Sequence, residues 1–158
     1  MRGNNKGSGS QSDRAFGWSG RPAPVPGPSR GFGHGFAEGF AHAGARLVLN
    51  GVDVSRLARS ATALRSKGHD VVEAAFDVTD EAAIQASFAR LDDAGVEIDI
   101  LVNNAGIQLR KPLVDFTLDE WNKVINTNLT SAFMVGREAA RRMIKRARGG
   151  KVINIGSL

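Results

Sequence analysis

The sequence predicts an α/β fold built on a doubly wound parallel sheet, with helices on both of its faces. Short apolar runs alternate with helical patterns in units of roughly 20–40 residues, which is typical of right-handed βαβ crossovers. The 158 residues suffice for one domain with a hydrophobic core, and the 42% apolar and 23% charged fractions are those of a globular protein. Small and polar residues follow the apolar runs, at the strand ends where open parallel sheets bind ligands.

The strands are predicted from runs of apolar and β-branched residues that are bounded by glycine or polar residues. Each run is far shorter than the roughly 20 apolar residues that a membrane-spanning helix needs. In chain order, the predicted strands are 45–50 (ARLVLN), 70–78 (DVVEAAFDV), 98–106 (IDILVNNAG) and 151–158 (KVINIGSL).

The helices are predicted from apolar residues at intervals of three and four, together with signals at their ends. The first helix closes on Gly44 and the second on Gly68. The third opens at residue 79 or 80, and the fourth has Thr117 as its N-cap, with Glu120 three residues on completing a capping box. In chain order, the predicted helices are 35–45, 53–68, 79–91 and roughly 119–148.

The net charge of +5 comes mainly from the first 30 residues. Within them, residues 1–19 are rich in Gly, Ser and Asn, which favours a disordered tail. A second basic stretch at 137–151 surrounds the end of the long helix, where the helix dipole and solvent favour cations. Because no interleaved aromatic residues or known binding motif accompany these charges, we do not expect nucleic-acid binding.

The residue types limit the chemistry further. The chain has no cysteine, which excludes disulfides, thiol catalysis and Cys-ligated zinc. Its three histidines have no acidic cluster beside them at ligand spacing, so a metal site is not expected. Since the N-terminal residues lack the apolar core of a secretory signal, we expect a cytoplasmic protein that does not bind membranes.

Three groups of residues at predicted strand ends are candidates for a ligand site. The glycines of 27–33 (GPSRGFG) precede a helix and could let backbone N–H groups approach a phosphate, although the surrounding prolines are also typical of a linker. Asp77 could accept a hydrogen bond from an adenine amino group, or could cap the next helix. In NNAG at 103–106, the asparagines could brace the neighbouring turn while Gly106 lets a cofactor approach closely.

Taken in chain order, these motifs resemble the short-chain dehydrogenase/reductase family over about residues 16–158. The glycines of 27–33 match the glycine-rich turn of the family, Asp77 in DVTD matches its adenine-binding acid, and 103–106 matches its NNAG motif. The resemblance implies an NAD(P)-binding, Rossmann-like domain over 20–158.

The resemblance also implies site residues. Asn128 in NTNLT matches the active-site asparagine, which supports a proton relay, and Ser157 after INIG matches the serine that polarises the substrate oxygen. The cofactor-binding residues that it implies are Gly27, Ser29, Arg30, Gly31, Phe32, Gly33, Asn50, Asp77, Val78, Asn104, Ala105 and Gly106.

Charge at the end of the second strand bears on the choice between NAD and NADP. NAD-using enzymes tend to carry an acid there, which binds the ribose 2′-hydroxyl. Here the position is Gly51, and Arg30 in the glycine turn could pair with a 2′-phosphate, so the sequence leans towards NADP. The lean is slight because Val52 stands where NADP-using enzymes often have a basic residue.

Within the family, the stretches NNAGIQLRKPLVDF, DEWNKVINTNL and GGKVINIGSL look most like gluconate 5-dehydrogenases. This implies gluconate and 5-ketogluconate as the hydroxy and keto substrates, while 3-oxoacyl and sugar-alcohol reductases share the same framework. In the family, a tyrosinate exchanges the substrate hydroxyl proton, and a lysine four residues later lowers the tyrosine pKa. Because this chain has no tyrosine, we expect an incomplete domain, truncated after its fifth strand, with little or no dehydrogenase activity.

Two other functions remain open. The chain could be a non-catalytic dinucleotide-binding or interaction subunit that pairs with full-length relatives through the helix 119–148. A basic nucleic-acid-binding protein would instead show affinity that falls steeply with salt. In the family we expect a homo-oligomer through this helix, whose apolar stripe would pack on the sheet and a partner subunit: Val124, Leu129, Phe133 and Val135.

The prolines of 20–35 stand where the family has its first, central strand. Pro22, Pro24 and Pro26 are spaced by two, so their missing N–H groups lie along the same side of that strand. We therefore expect lost hydrogen bonds to one neighbouring strand, a poorly formed glycine turn and weak cofactor binding. At the other end of the chain, 151–158 is expected to be an apolar edge strand that favours aggregation.

Overall fold

The structure, a computed structural model, describes residues 23–26 and 32–156, with side chains from residue 35 onward. Strands and helices alternate as the sequence predicts. The strands are β1 Ala23–Pro26, β2 Leu47–Gly51, β3 Val71–Ala75, β4 Ile100–Asn103 and β5 Lys151–Asn154. The helices are α1 Phe32–His42, α2 Val54–Arg65, α3 Glu81–Asp93, α4 Leu118–Ile125 and α5 Ser131–Arg146. Two short turns complete the list: the 3₁₀ turn Leu113–Asp115 and the π-turn Asn126–Thr130.

All strand pairings are parallel. β2 pairs with β1 on one side and with β3 on the other, and β4 pairs with β5. β1 also lies beside β4, so the strands follow the spatial order β3–β2–β1–β4–β5. Such an order, with helical crossovers, is that of an open doubly wound sheet, and the predicted fold class is confirmed.

A seam divides this sheet between β1 and β4. Within the described residues, hydrogen-bonded ladders join β1–β2–β3 and β4–β5 separately. In a parallel strand, alternate residues direct their backbone groups to opposite neighbours. The ladder to β2 needs N–H donors from β1, which Ala23 and Val25 have and Pro24 and Pro26 lack. The backbone nitrogens of Pro24 and Pro26 therefore lie on the β4 side of β1, so at these two positions the missing donors are those towards β4.

The core lies in two layers, one on each face of the sheet. Alternate residues of the strands point to opposite faces, so Leu49 and Ile100 pack with α1 and α2, whereas Val48 and Leu101 pack with α3 and α5. Both clusters contain side chains from β2 and from β4. Apolar packing therefore continues across the seam that the ladders leave open.

The segment that contains α4 and α5 begins as the sequence predicts. Thr117 caps α4, and the Glu120 side chain accepts a hydrogen bond from the Thr117 N–H in return, which forms the predicted capping box. Glu120 also accepts two hydrogen bonds from Lys111 Nζ, at 2.8 and 2.6 Å, and so ties the preceding loop to the helix. Together these contacts hold the pKa of Glu120 down at about 2, the Lys111 bond being the largest cause.

The long helix predicted over roughly 119–148 is present, but it differs from a regular α-helix in two respects. The π-turn Asn126–Thr130 interrupts it, and α5 ends at Arg146 because Ala147 adopts a left-handed conformation at φ 54°. Of the predicted apolar stripe, Val135 is buried, whereas Leu129 and Phe133 are 65% and 62% exposed.

Candidate functional site

A crevice of about 650 Å³ opens beyond the carboxyl ends of β2, β3 and β4. Its other wall is formed by α4 and the π-turn, through Lys123, Asn126 and Thr127. This is the edge at which open parallel sheets bind ligands, and the volume is in the usual range for small-molecule and cofactor sites. The polar and charged residues that line it are Asn50, Asp53, Arg56, Asp77, Thr79, Lys123, Asn126 and Thr127.

Asn50 fixes the β2 side of the crevice. Its side chain is 5% exposed, and its Nδ2 donates to the carbonyl oxygens of Ala74 and Phe76, at 2.9 Å each. Both acceptors lie at the end of β3, where the strand runs into the next loop. Since buried carbonyls need partners, Asn50 holds the ends of β2 and β3 in one arrangement before any ligand arrives.

Asp77 shapes the loop after β3. Its Oδ1 accepts hydrogen bonds from the Thr79 N–H and hydroxyl, at 2.8 Å each, which is an Asx turn. The N-cap of α3 is Asp80, whose Oδ1 accepts from the Ala83 N–H. The alternative in which Asp77 caps the helix is therefore wrong, and this exposed carboxylate lines the crevice beside the buried Val78.

The NNAG turn after β4 is anchored by its first asparagine. Asn103 is buried, and its Nδ2 donates to the Ala132 carbonyl of α5 at 3.2 Å and to Asn154 Oδ1 of β5 at 2.8 Å. Asn103 therefore joins the end of β4 to α5 and to β5, and not to a neighbouring turn. Ala105 and Gly106 follow along the floor of the crevice.

Asn128 clamps the loop that leaves this turn. Its Oδ1 accepts from the Ile107 N–H at 2.8 Å, and its Nδ2 donates to the Ile107 carbonyl at 2.9 Å. A Cβ at Gly106 would lie 3.5 Å from Asn128 Oδ1, an ordinary contact distance, so the clamp sits directly against the glycine. The structure therefore brings Asn128 beside Ile107, 21 positions away along the chain, and beside Gly106 of the NNAG motif.

Three charged side chains of the crevice were not among the predicted site residues: Asp53, Arg56 and Lys123. Asp53 caps α2, its Oδ1 accepting from the Arg56 N–H at 2.9 Å, while Arg56 Nε lies 3.8 Å from its Oδ2. The backbone hydrogen bond, helped by the charges of Arg56 and Arg59, lowers the pKa of Asp53. The helix-start pattern D-x-x-R was readable in the sequence, but Lys123 comes from a distant element and gave no such signal.

The other predicted site residues divide into two groups. Asn104 lies half-buried in the NNAG turn, and Phe32 and Gly33 form the first turn of α1. The remainder lie outside the described residues: Gly27, Ser29, Arg30, Gly31 and Ser157.

Within residues 23–26 and 32–156, no helix has both the length and the apolar character needed to cross a membrane. The same residues contain no group of three or more His, Asp or Glu side chains arranged to hold a metal ion.

The chain is similar to known proteins. Residues 22–158 match the short chain dehydrogenase family. Over 143 residues the chain is 42% identical to the gluconate 5-dehydrogenase of Gluconobacter oxydans, covering 90% of this chain and 56% of that protein. Over 115 residues it is 39% identical to the 5-keto-D-gluconate 5-reductase of Escherichia coli K12, covering 73% of this chain and 45% of that protein.

The fold is equally similar to a solved structure. A gluconate 5-dehydrogenase from Burkholderia cenocepacia, crystallised in complex with NADP and tartrate, has a TM-score of 0.84 and 41% identity, covering 88% of this chain and 54% of that one. The chain thus spans about half the length of these relatives. Because the family match covers nearly all of the strands, helices and crevice described above, the chain belongs to the short-chain dehydrogenase family.

Proposed function

We propose that this chain provides the dinucleotide-binding part of an NAD(P)-dependent oxidoreductase that interconverts a secondary alcohol and a ketone. The observation that carries the proposal is the crevice at the ends of β2, β3 and β4, with Asn50, Asp77 and Gly106 on its walls. The relatives named above act on gluconate and 5-ketogluconate, which we propose as the substrate pair.

The residues present fit a nicotinamide dinucleotide. Asp77 offers a carboxylate at the end of β3, where an adenine amino group would donate, and buried Val78 beside it offers an apolar wall. Ala105 and Gly106 leave the floor free of bulky side chains. The bound cofactor would supply the hydride acceptor or donor. The chain's own residues would hold and orient it, with Phe32 and Gly33 of α1 on the phosphate side.

Asn128 and Ser157 are the proposed catalytic residues. The Asn128 side chain uses both its oxygen and its nitrogen in hydrogen bonds to Ile107, and so holds the loop over the crevice floor. The proton relay expected of this residue would therefore have to bypass these two hydrogen bonds. The Ser157 hydroxyl would hydrogen-bond the substrate oxygen and orient it. The 158 residues contain no tyrosine, so the phenol that the family uses as its acid and base is not among them.

Cofactor binding and turnover of the 158-residue polypeptide test the proposal separately. Titration with NADP(H) and NAD(H) should show saturable but weak binding, and absorbance of the reduced nicotinamide should show little or no turnover with gluconate. Losing a general acid or base typically costs about 10²–10⁴-fold in rate. A bulky side chain in Gly106→Val should abolish binding, whereas Gly35→Val, on the exposed side of α1 where a Cβ meets nothing, should not.

Each readout can contradict part of the proposal. Absence of binding by either cofactor would reject the dinucleotide site. Robust turnover by protein of verified mass would reject the inference drawn from the missing tyrosine, and nanomolar affinity would reject the expectation of a poorly formed glycine turn.

A second candidate function is an interaction subunit, and the outer face of α4 and α5 favours it. Large apolar side chains are exposed along this outer face: Leu118, Trp121, Leu129, Phe133 and Ile144. Contiguous exposed apolar surface is typical of protein–protein interfaces. We propose that the outer face binds a second copy of the chain or a full-length relative.

A further inference from the structure

We propose that His42 and His69 together bind a divalent transition-metal ion such as Zn²⁺, at the end of the sheet opposite the crevice. His42 lies in the last turn of α1, which leads towards the start of β2, and His69 lies just before β3. The pair therefore lies at the amino ends of these strands, whereas the crevice lies beyond their carboxyl ends. The proposed metal site is separate from the dinucleotide site and does not depend on it.

The two imidazole rings are close enough to share one metal ion. Their centroids lie 5.4 Å apart, and the ring planes are inclined at 59°. Zinc binds an imidazole nitrogen at about 2.0 Å and prefers tetrahedral geometry, which places the centres of two rings on one ion about 5 Å apart. The rings reach this spacing from distant parts of the chain, so the order of the histidines along the sequence did not predict a metal site.

A hydrogen bond to the main chain prepares the His42 ring to act as a ligand. Its Nδ1 lies 2.7 Å from the carbonyl oxygen of Glu38. Because a carbonyl oxygen can only accept, Nδ1 carries the proton, and in the neutral ring the lone pair is then on Nε2. Metal-binding histidines typically donate their other ring N–H to a carbonyl or a carboxylate, which fixes the orientation of the ring. We therefore assign His42 Nε2 to the metal.

The charged groups around the pair do not oppose a cation. The last turn of α1 carries partial negative charge on its carbonyl groups, which favours positive charge there. The two nearby cations are each matched by a carboxylate. Lys67 Nζ donates to Glu38 Oε1, and Arg46 Nε lies 3.1 Å from Asp70 Oδ2.

Two protein ligands make this a weak site. It is smaller than the groups of three that the described residues lack, and because one ring is exposed and the other half-buried, water can complete the coordination. An ion held by both rings would join the end of α1 to the turn that leads into β3. Since a ligand that binds the folded state preferentially opposes unfolding, Zn²⁺ should stabilise the chain.

Titration of the 158-residue chain with Zn²⁺, on protein prepared without a histidine tag, tests the proposal. Calorimetry measures the affinity, and nuclear magnetic resonance follows the rings of the three histidines. We expect the ring resonances of His42 and His69 to shift together, and the urea midpoint to rise. Mg²⁺ prefers oxygen ligands and should change neither measurement.

Variants of the three histidines provide the comparison. His42→Gln and His69→Gln should each weaken Zn²⁺ binding about tenfold or more, since even the loss of a group that orients a metal ligand typically costs about 10–100-fold in affinity. Each should also remove the rise in urea midpoint. His34→Gln is the matched control, because it removes the third histidine of the chain, and it should leave both measurements unchanged.

The outcomes concern the histidine pair alone. Absence of Zn²⁺ binding, full binding by His42→Gln or by His69→Gln, or an equal loss with His34→Gln would reject the site and leave the pair as a ring contact. His42→Gln should bind NADP(H) as the unmodified chain does, because the crevice lies at the other end of the strands. Failure of the dinucleotide site would therefore leave the metal site standing, and the reverse also holds.

Discussion

Three asparagines hold the crevice in shape, and each does so through main-chain groups. Asn50 joins the ends of β2 and β3, Asn103 joins β4 to α5, and Asn128 clamps Ile107. The sequence singled out Asn103 because buried amides need partners, and it singled out Asn50 and Asn128 through the family resemblance. Their partners could not be read from it, since each lies 21 or more positions away along the chain.

The buried amide of Asn50 should contribute measurably to stability. Asn50→Ala removes two hydrogen bonds and leaves the Ala74 and Phe76 carbonyls without their donor, so we expect the free energy of unfolding to fall by about 2 kcal/mol. Urea denaturation followed by circular dichroism measures this. Asn122→Ala, at an exposed position of α4, is the control and should change it by no more than about 0.5 kcal/mol. Equal effects of the two substitutions would contradict the role assigned to Asn50.

Among the elements, those with local signals were predictable and those set by tertiary contacts were not. The capping box at Thr117 depends on residues three apart, and the sequence located it correctly. The π-turn Asn126–Thr130 has no such pattern, and it was read as ordinary helix. Its backbone is held where Asn128 meets Ile107, which is a contact between distant parts of the chain.

The capping box makes the stability of α4 depend on acid pH. The pKa of Glu120 is about 2 in the folded chain against an ordinary 4.5, so its ionised form stabilises the fold above pH 4.5. That stabilisation is lost as the pH falls from 4.5 through 2. Glu120→Gln should therefore show a shallower decrease in urea midpoint over this range than the unmodified chain.

A neighbouring substitution provides the comparison for Glu120. Asp119→Asn makes the same change of charge at the residue before Glu120, which takes no part in the capping box. This variant should keep the steeper decrease in urea midpoint. Parallel curves for Glu120→Gln and the unmodified chain would show that the Lys111–Glu120 contact does not govern the acid response.

At the scale of the molecule, the doubly wound sheet and the position of its crevice follow from the alternation of strands and helices. Which charged side chains line the crevice could not be predicted completely from the sequence. Asp53, Arg56 and Lys123 meet there only because β2, α2 and α4 converge on one edge of the sheet. Phe133 and Val135 are two positions apart on α5 and therefore face opposite sides of that helix, so Phe133 is exposed while Val135 is buried.

The outer face of α4 and α5 should make the chain self-associate. In sedimentation velocity we expect a dimer or larger species, because pairing removes several large apolar side chains from water. Phe133→Glu should shift the population towards monomer. Val114→Glu, at a site that is 90% exposed in the 3₁₀ turn and outside α4 and α5, should not. A monomeric unmodified chain, or equal effects of the two substitutions, would reject the interface.

The seam between β1 and β4 gives the sheet a line of mechanical weakness. A ladder under load shares the force among its hydrogen bonds, but within the described residues this boundary is held by side-chain packing such as that of Leu49 and Ile100. The boundary also passes beneath the crevice: Asn50 of β2 lies on one side of it, and Gly106, which follows β4, lies on the other. A nucleotide that contacts both sides of the crevice would connect the two parts of the sheet. Under a pulling force, its contacts would bear part of the load that backbone hydrogen bonds from Pro24 and Pro26 cannot bear.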